Sequence, residues 1–440
     1  MSITPFDVEF TRDGQIFDQA QADAAIAGAA ELTDMFILAH GWNNNKEEAA
    51  ALFDELTGNI ERLLRTSLMK TISDRKFGAV RVFWPSKRFD DADLIPAGGA
   101  ASAGGQPDLD ALMHLLDALK HNPVRLGDIA PDPVRVPVVD KLKDLVPMLN
   151  TDAAARREFV LHLRALVDSS QANADDGSAE FFTEDPLEMF TRLSKPVSAP
   201  AAPAARGGAA DMHADGSAAG LHDLFSGFIS AARRLANYTT YCEMKQRAGI
   251  VGSTGVAHLL MLLREKNRTL RLHLAGHSFG GRLVTAAANA LPSNTNAVSV
   301  TLLQAAYSHN GIGLNFDGMN HDGAFRRLVA EKRASGPILV THTKNDQAVG
   351  VAYPLASRIT NEQAAAFGDQ NDPYGGMGRN GAQHTPEVNA AFNTLLAVGQ
   401  PYSFTQGAVY NLRADDFIHD HGDVRGEQVA YAMLNAVKCI

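Results

Sequence analysis

Cysteine is scarce in this sequence, since Cys242 and Cys439 are the only two among 440 residues. Small domains held together by disulfides carry many more cysteines in a shorter chain, so that class of protein is excluded. The chain also has no Cys-x-x-Cys pair, a frequent sequence sign of a zinc site with thiolate ligands. We therefore expect a protein of a reducing compartment that holds no metal.

Positive charge is also in short supply. The chain has 40 Lys and Arg residues against 50 Asp and Glu, a formal net charge of -10, and no run of five or more basic residues. Nucleic-acid-binding surfaces and anionic-membrane anchors need concentrated Lys and Arg side chains. The composition therefore predicts no nucleic-acid partner and no polybasic membrane anchor.

Long apolar runs are absent as well. The longest, such as AHLLMLL, fall well short of the roughly 18 residues that a membrane-spanning helix needs. The first residues, MSITPFDVEFTRDG, lack the basic stretch and apolar run of a secretory signal. We therefore expect a cytoplasmic protein without a transmembrane segment.

What the sequence does contain is ordinary globular composition and a regular alternation of strands with helices. Buried strands are predicted in MFILA, GAVRVFWPS, LRLHLAG, AVSVTLLQAA, GPILVTHT and GAVYNLR, and two short N-terminal strands joined at Asp13-Gly14. Helices are predicted at about 46–69, 236–266, 386–398 and 424–437, after Ser278, near residue 362 and in GAFRRLVAEKR. This alternation predicts an α/β protein with a mostly parallel central sheet flanked by helices.

The composition changes after Ser86. Two stretches rich in Ala, Gly and Pro, PAGGAASAGGQP and VSAPAAPAARGGAADMHADGSAAG, enclose the helical patterns LDALMHLLDALK and AAARREFVLHLRALV. We interpret 87–235 as an inserted helical region with flexible loops, and 1–86 with 236–440 as the α/β core. The helix that follows the insertion, around Lys245 and Arg247, is expected to be solvated and to carry surface ion pairs.

A serine stands between glycines where a strand is predicted to give way to a helix, in Gly276-His277-Ser278-Phe279-Gly280. A sharp turn of this kind strains the central residue, and the glycines remove side chains where strand and helix crowd together. The serine hydroxyl is then exposed at the helix N-terminus, where the dipole favours negative charge. The alternative is a glycine-rich turn whose serine only caps the helix.

The motifs AHGWNNN, GHSFGG, THTKND and HDHGDV together resemble the α/β-hydrolase fold, in its serine esterase and lipase branch. The resemblance covers about 1–86 and 236–440. It implies a catalytic triad in the chain order serine, acid, histidine. Ser278 matches the nucleophile and Asp346, just past GPILVTHT, matches the acid. Asp317 and Asp322 are less suitable acids because they lie farther beyond their strand.

The resemblance places the catalytic base in the loop between the last strand and the last helix. His419 and His421 both lie there, and we prefer His421, with Asp423 as the N-cap of the final helix. Either histidine could instead be a surface residue of an acidic loop. The residues 419–423 lack the spacing of a defined metal-ligand set, so no metal is expected.

The resemblance also implies an oxyanion hole formed by two backbone N–H groups. These are the N–H of Phe279, after the nucleophile, and that of Trp42, in the turn after MFILA. Gly41 allows close approach to the substrate, and His40 is expected to brace this loop. His40, Gly41 and Tyr307 are candidate substrate contacts, whereas His277 is expected to have a packing or bracing role.

The sequence predicts no cofactor-binding motif. Gly376, Gly378 and Gly381 match G-x-G-x-x-G, but no apolar strand precedes them, so we assign them to a loop. Neither a P-loop motif nor His-Glu-x-x-His occurs.

The expected function is hydrolysis of a small-molecule carboxylic ester through an acyl-enzyme, without a cofactor. Lipase, peptidase and acyltransferase variants use the same residues. A non-catalytic interaction protein on the same fold is the alternative. The insertion would act as a cap or lid that sets substrate size, or else as a docking surface, and the sequence predicts no oligomeric state.

Overall fold

A single all-parallel sheet organises the protein. The computed structural model describes residues 2–86, 106–194, 221–292, 299–346 and 374–440. Within these ranges seven strands pair in the order β1-β3-β2-β4-β5-β6-β7, and each pair is parallel. The predicted α/β architecture is confirmed. The strands are β1 (Thr4–Glu9), β2 (Asp34–Ala39), β3 (Phe77–Phe83), β4 (Arg271–His277), β5 (Ser299–Leu303), β6 (Ile338–His342) and β7 (Val409–Arg413).

Helices cover both faces of this sheet, which explains why its strands read as continuous apolar runs. In β2 every residue is buried, and alternate side chains enter opposite cores. Met35 and Ile37 pack with the core of α1, α9 and α10, whereas Phe36 and Leu38 pack with α2 and α13. The helices are α1 (Gln19–Gly28), α2 (Lys46–Leu64), α3 (Gln106–Leu119), α4 (Val136–Leu145), α5 (Ala153–Arg164), α6 (Ser178–Thr183), α7 (Pro186–Ser194), α8 (Leu221–Ile250), α9 (Ala257–Lys266), α10 (Phe279–Ala290), α11 (Arg327–Ala330), α12 (Met377–Asn380) and α13 (Glu427–Lys438).

The described part of the region predicted to be an insertion contains the helices α3 to α7, which are joined by loops such as residues 120–135. These helices pack on one another and on the long helix α8, which in turn packs against α10. Helix α8 runs without a break across the boundary drawn between residues 235 and 236. A π-helical turn, Val251–Val256, then joins it to α9. None of the helices in the described ranges is long and apolar enough to cross a membrane.

The N-terminal hairpin predicted at Asp13-Gly14 is only partly formed. The turn is present, but the returning arm contributes a single antiparallel bridge, Phe10 to Ile16, rather than a strand. Asp18 then caps α1 through the N–H of Ala20. Strand β1 pairs with β3 instead, because parallel pairing extends the central sheet and buries its side chains on a covered face.

The helix predicted at 386–398 is wrong. This segment lies along the free edge of β7, where Asn389 N–H donates to the Val409 carbonyl and Leu395 N–H donates to the Arg413 carbonyl, at 2.8 and 2.9 Å. An edge strand exposes unpaired backbone groups, and covering them outweighs the helical pattern of the side chains.

Two other helix predictions need correction, and a third falls outside the described residues. In GAFRRLVAEKR only α11, a four-residue helix, forms. The last helix begins at Glu427, with Gly426 as its N-cap, so Asp423 does not cap it. The helix predicted near residue 362 lies outside the described residues.

Candidate functional site

The site lies where the strand order of the sheet reverses. From β2 the chain continues to β3 on one side, and from β4 it continues to β5, β6 and β7 on the other. Ligands of open parallel sheets bind beyond the carboxyl ends of the strands at such a reversal. The turn His40-Gly41-Trp42 follows β2 and Ser278 follows β4, so both flank this crevice.

Ser278 occupies a strained turn between β4 and α10. Its backbone has φ 56° and ψ -124°, a combination that residues with a side chain rarely adopt. Its N–H donates to the Leu303 carbonyl, and its own carbonyl accepts from the N–H groups of Gly281 and Ala306, each at 3.0 Å. Its side chain makes no capping bond to the helix, so the helix-cap alternative is not what the structure shows.

Three glycines are required by close approaches around this turn. A Cβ on Gly276 would lie 2.1 Å from the Gly280 carbonyl oxygen, and one on Gly280 would lie 2.3 Å from the Ala39 carbonyl oxygen. A Cβ on Gly41 would lie 2.8 Å from the Cβ of Ser278. All three distances are shorter than real Cβ contacts allow, so the loop after β2 can touch Ser278 only with glycine at position 41.

Asp346 and His421 meet at the same edge of the sheet. The Nδ1 of His421 lies 2.8 Å from Oδ2 of Asp346, which is fully buried after β6. The His421 side chain is 23% exposed. A carboxylate accepts hydrogen bonds, so Nδ1 carries a proton, and in the neutral imidazole Nε2 then has the lone pair. A buried carboxylate thus orients a partly exposed imidazole in the form that can accept a proton.

His277 connects this pair to Ser278. Its Nε2 lies 2.7 Å from the carbonyl oxygen of His421, and the two imidazole rings are 4.8 Å apart at their centroids. Burial first, and then the neighbouring His421, lower the pKa of His277 to about 3. His277 immediately precedes Ser278, so its bond to the His421 carbonyl brings the His421–Asp346 pair near Ser278 at this edge of the sheet.

The alternative acids and base have other partners. His419 is largely exposed, and its Nδ1 lies 3.0 Å from Asp423. Asp317 pairs with His321 at 2.5 Å. Asp322 accepts from the N–H of Asn315. The structure therefore brings His421 and Asp346 together and leaves His419, Asp317 and Asp322 in separate surface contacts.

The turn after β2 is held from below by His40, which is completely buried. Its Nδ1 bonds to the Gly41 carbonyl at 2.9 Å, and its Nε2 accepts from the N–H of Trp84 at 3.3 Å. The Trp84 indole N–H donates to the His40 carbonyl at 3.0 Å. Burial lowers the pKa of His40 to about 4, only partly offset by its bond to Gly41, so the ring is neutral. His40 thus braces this loop, as expected.

The predicted oxyanion-hole residues, Trp42 and Phe279, lie side by side. Their rings are 5.9 Å apart at the centroids, and Phe279 is the first residue of α10. The first N–H groups of a helix have no partner within the helix. Their role as oxyanion donors stays a prediction.

Tyr307 lies in the interior beside α10. Its side chain is completely buried, and its hydroxyl lies 3.1 Å from the hydroxyl of Thr285. Its ring meets the edge of Phe325 at 5.5 Å. A role in contacting substrate stays a prediction, and the structure places no part of this side chain at the surface.

Sequence reasoning missed the group that supports Asp346. Gln304, directly after β5, donates from Nε2 to Oδ2 of Asp346 at 3.3 Å and to the Gly378 carbonyl at 2.8 Å. Arg379 donates to the carbonyl of Asp346 at 3.1 Å. The segment GMGRNG, assigned to a loop, contains the short helix α12. Arg379 of this helix holds the segment that carries Asp346. A polar residue directly after an apolar strand was the available signal.

The helix expected to be solvated, around Lys245 and Arg247, is instead buried. Lys245 bonds to Asp176 and to the Ser178 hydroxyl, and Arg247 pairs with Glu243 at 2.7 Å. On the same helix, the ring of Tyr241 lies 5.4 Å from that of Phe279. The ion pairs were expected, but they are internal: the pair Lys245–Asp176 joins α8 to the segment before α6, and the pair Arg247–Glu243 lies within α8.

Among the described residues, no three His, Cys, Asp or Glu side chains are grouped closely enough to hold a metal ion. Comparison of the chain with models of protein families, with curated proteins and with solved structures gave no match.

Proposed function

We propose that this protein is a serine hydrolase of the α/β-hydrolase type that cleaves a carboxylic ester. The observation that carries the proposal is the 2.8 Å contact between Asp346 and His421 at the sheet edge where Ser278 sits in a strained strand-to-helix turn. The order serine, acid, histidine along β4, β6 and β7 is the order of that enzyme class.

In the proposed reaction, Nε2 of His421 accepts the proton of the Ser278 hydroxyl as its oxygen attacks the ester carbonyl. Asp346 holds the imidazole in the required tautomer and stabilises the imidazolium. The oxyanion accepts hydrogen bonds from the N–H groups of Phe279 and Trp42. The alcohol leaves with the proton of His421, and water then releases the acyl group by the same route.

We further propose that the helices between 87 and 235, together with α8, restrict the substrate. The support is the contact of Tyr241 with Phe279, which places an aromatic side chain of α8 beside the residue after the nucleophile. An apolar acyl group would suit these surroundings better than a charged one.

The test uses a fluorophosphonate probe that labels activated serines. Wild-type protein should be labelled, Ser278→Ala should not, and the exposed Ser253→Ala should be labelled like wild type. A panel of p-nitrophenyl esters of rising chain length would then identify the preferred acyl size. Labelling of Ser278→Ala at the wild-type rate would contradict the proposal.

A second candidate function is a non-catalytic interaction protein. The observation that favours it is the low exposure of Ser278, which is 5%. The same probe decides, because well-folded wild-type protein that fails to react at any concentration would favour the second function.

A further inference from the structure

His277 ends β4 and directly precedes Ser278, yet its side chain points toward the base. Its Nε2 lies 2.7 Å from the His421 carbonyl oxygen. On its other side, Nδ1 lies 3.0 Å from the position that a Cβ on Gly41 would occupy. The ring thus lies between the loop after β2 and the loop after β7, and it is 7% exposed.

The protonation of this ring follows from its contacts. A carbonyl oxygen can only accept, so Nε2 of His277 must carry a proton and donate. Burial holds the pKa of His277 near 3, so the ring is neutral and Nδ1 carries no proton. Nδ1 has no hydrogen-bond partner among the described residues. His277 is therefore fixed as the Nε2–H tautomer.

The loop between β7 and α13 is thereby held at two atoms of His421. Asp346 holds the imidazole at Nδ1, and His277 holds the main chain at the carbonyl oxygen. One contact sets the rotation of the ring, and the other sets its distance from β4. Since His277 and Ser278 share a peptide bond, the second contact relates the base directly to the nucleophile.

The charge state of His277 matters for the same reason. The charged or titratable groups around it are His421, Asp346 and His40. A proton on His277 would place a positive charge about 5 Å from the ring that must become imidazolium. Two adjacent cations would oppose each other, so a neutral His277 favours proton transfer to His421.

We infer that His277 is a positioning residue, whose Nε2–H fixes the His421 main chain relative to Ser278 and whose neutrality leaves His421 as the proton acceptor. This inference rests on the proposed hydrolase function. It assigns His277 no contact with substrate.

The test compares His277→Met with His277→Gln, two side chains of similar length of which only Gln can donate to the carbonyl. Well-positioned catalytic groups lose about 10–100-fold in rate on displacements near 1 Å, so we expect that loss in kcat for His277→Met with KM almost unchanged. His277→Gln should recover most of this loss. Circular dichroism of the two variants should show the wild-type fold, so that a difference in kcat reports positioning rather than unfolding.

Equal kcat values for the Met and Gln variants would overturn the inference. If Ser278→Ala abolishes probe labelling while Met and Gln variants react equally, only the positioning role fails. If Ser278→Ala labels normally, the hydrolase proposal itself fails.

A measurement on the wild-type protein covers the case in which both variants misfold. Nitrogen-15 NMR of the histidine side chains near pH 7 should show His277 as the neutral Nε2–H tautomer. A protonated ring, or the Nδ1–H tautomer, would contradict the proposed hydrogen bond to the His421 carbonyl.

Discussion

Two parts of this protein assemble a serine, a carboxylate and a basic side chain, and they differ in what those groups can do. At the sheet edge they are Ser278, Asp346 and His421. Beneath α8 they are Ser178, Asp176 and Lys245, where the lysine Nζ bonds to Asp176 and lies 2.9 Å from the Ser178 hydroxyl. Residue types alone would rank the two sets equally.

Exposure and proton state separate them. The Lys245 and Asp176 side chains are 0% and 1% exposed, whereas the His421 side chain is 23% exposed. A lysine ammonium beside a carboxylate has three hydrogens and no lone pair, so it cannot accept a proton from serine. Histidine keeps a lone pair on Nε2 when Nδ1 faces a carboxylate. A carboxylate therefore has a different effect in each set. Asp346 orients a neutral histidine as a base, and Asp176 stabilises a lysine cation.

The burial of the second set has a clear electrostatic balance. Burial by itself would raise the pKa of Asp176, but the charges of Lys245 and Arg282 outweigh it and lower that pKa. Arg282 lies on α10, one turn after Ser278, and donates to the Lys245 carbonyl at 2.9 Å. The charged groups of Asp176, Lys245 and Arg282 therefore connect α8 and the segment before α6 to α10. We interpret this charged cluster as structural.

The largest expected effect breaks the sheet-edge set. Asp346→Asn replaces an obligate acceptor by an amide that can also donate, so His421 loses its fixed tautomer. By analogy with serine proteases, kcat should fall by about 10⁴-fold with little change in folding. Steady-state ester hydrolysis measures this. His421→Gln should lose activity in the same way, with His419→Gln as its matched control.

Turnover close to wild type in Asp346→Asn would remove Asp346 from the proposed triad. Retained activity in His421→Gln together with lost activity in His419→Gln would instead exchange the roles of the two histidines. Circular dichroism of each variant separates lost chemistry from lost structure.

The next effect breaks the internal set and should appear as stability rather than chemistry. Lys245→Met leaves the buried Asp176 without the ammonium group that bonds to it. Removing one partner of a buried ion pair costs about 3–5 kcal/mol. Urea unfolding should show that loss, and the double variant Asp176→Asn/Lys245→Met should recover most of it because position 176 then carries no unpaired charge.

A Lys245→Met variant of wild-type stability would contradict the structural interpretation of this set. So would a kcat loss as large as that of Asp346→Asn in protein that remains folded. Either result would mean that the internal serine, carboxylate and lysine participate in function.

The two sets also differ in how far the sequence could reveal them. The sheet-edge residues each follow a predicted strand, and the carboxyl ends of parallel strands meet at one edge, so strand order together with the resemblance to α/β-hydrolases was enough to propose Ser278, Asp346 and His421. The preference for His421 over His419 relied on Asp423 as the cap of the last helix, which the structure does not show, whereas the contact that distinguishes the two histidines is the bond from His421 to Asp346.

The internal set had no comparable signal. Lys245 lies in a polar stretch that resembles a solvated helix, and its partner Asp176 is 69 residues away. Only the packing of α8 against the helices before it buries both residues. The helix predicted at 386–398 failed for a related reason, since bonding to the edge of β7 is a contact between distant segments that local periodicity does not record.

The smallest effect concerns Asp175, next to the internal set. Its Oδ2 accepts from the N–H of Ala324 at 3.2 Å, and its carbonyl accepts from the Ser308 hydroxyl. Burial, and then the charge of Asp176, raise the pKa of Asp175 from 3.8 to about 6. A carboxyl whose pKa is higher in the folded state is penalised when it ionises, so folding loses stability as the pH rises through that interval.

Asp175→Asn keeps an oxygen for Ala324 and removes this ionisation. Below about pH 4 the free energies of unfolding of the variant and the wild type should be most alike. The difference in favour of the variant should grow from about pH 4 to about pH 6 and then level off. A rise from 3.8 to about 6 is about two pKa units, so the gain is on the order of 3 kcal/mol at pH 7. Urea unfolding of both proteins at pH 4, 5, 6 and 7 measures it. A difference that stays constant across this range would mean that Asp175 ionises as easily in the folded chain as in the unfolded one, and that the charges beside it are better compensated than their burial implies.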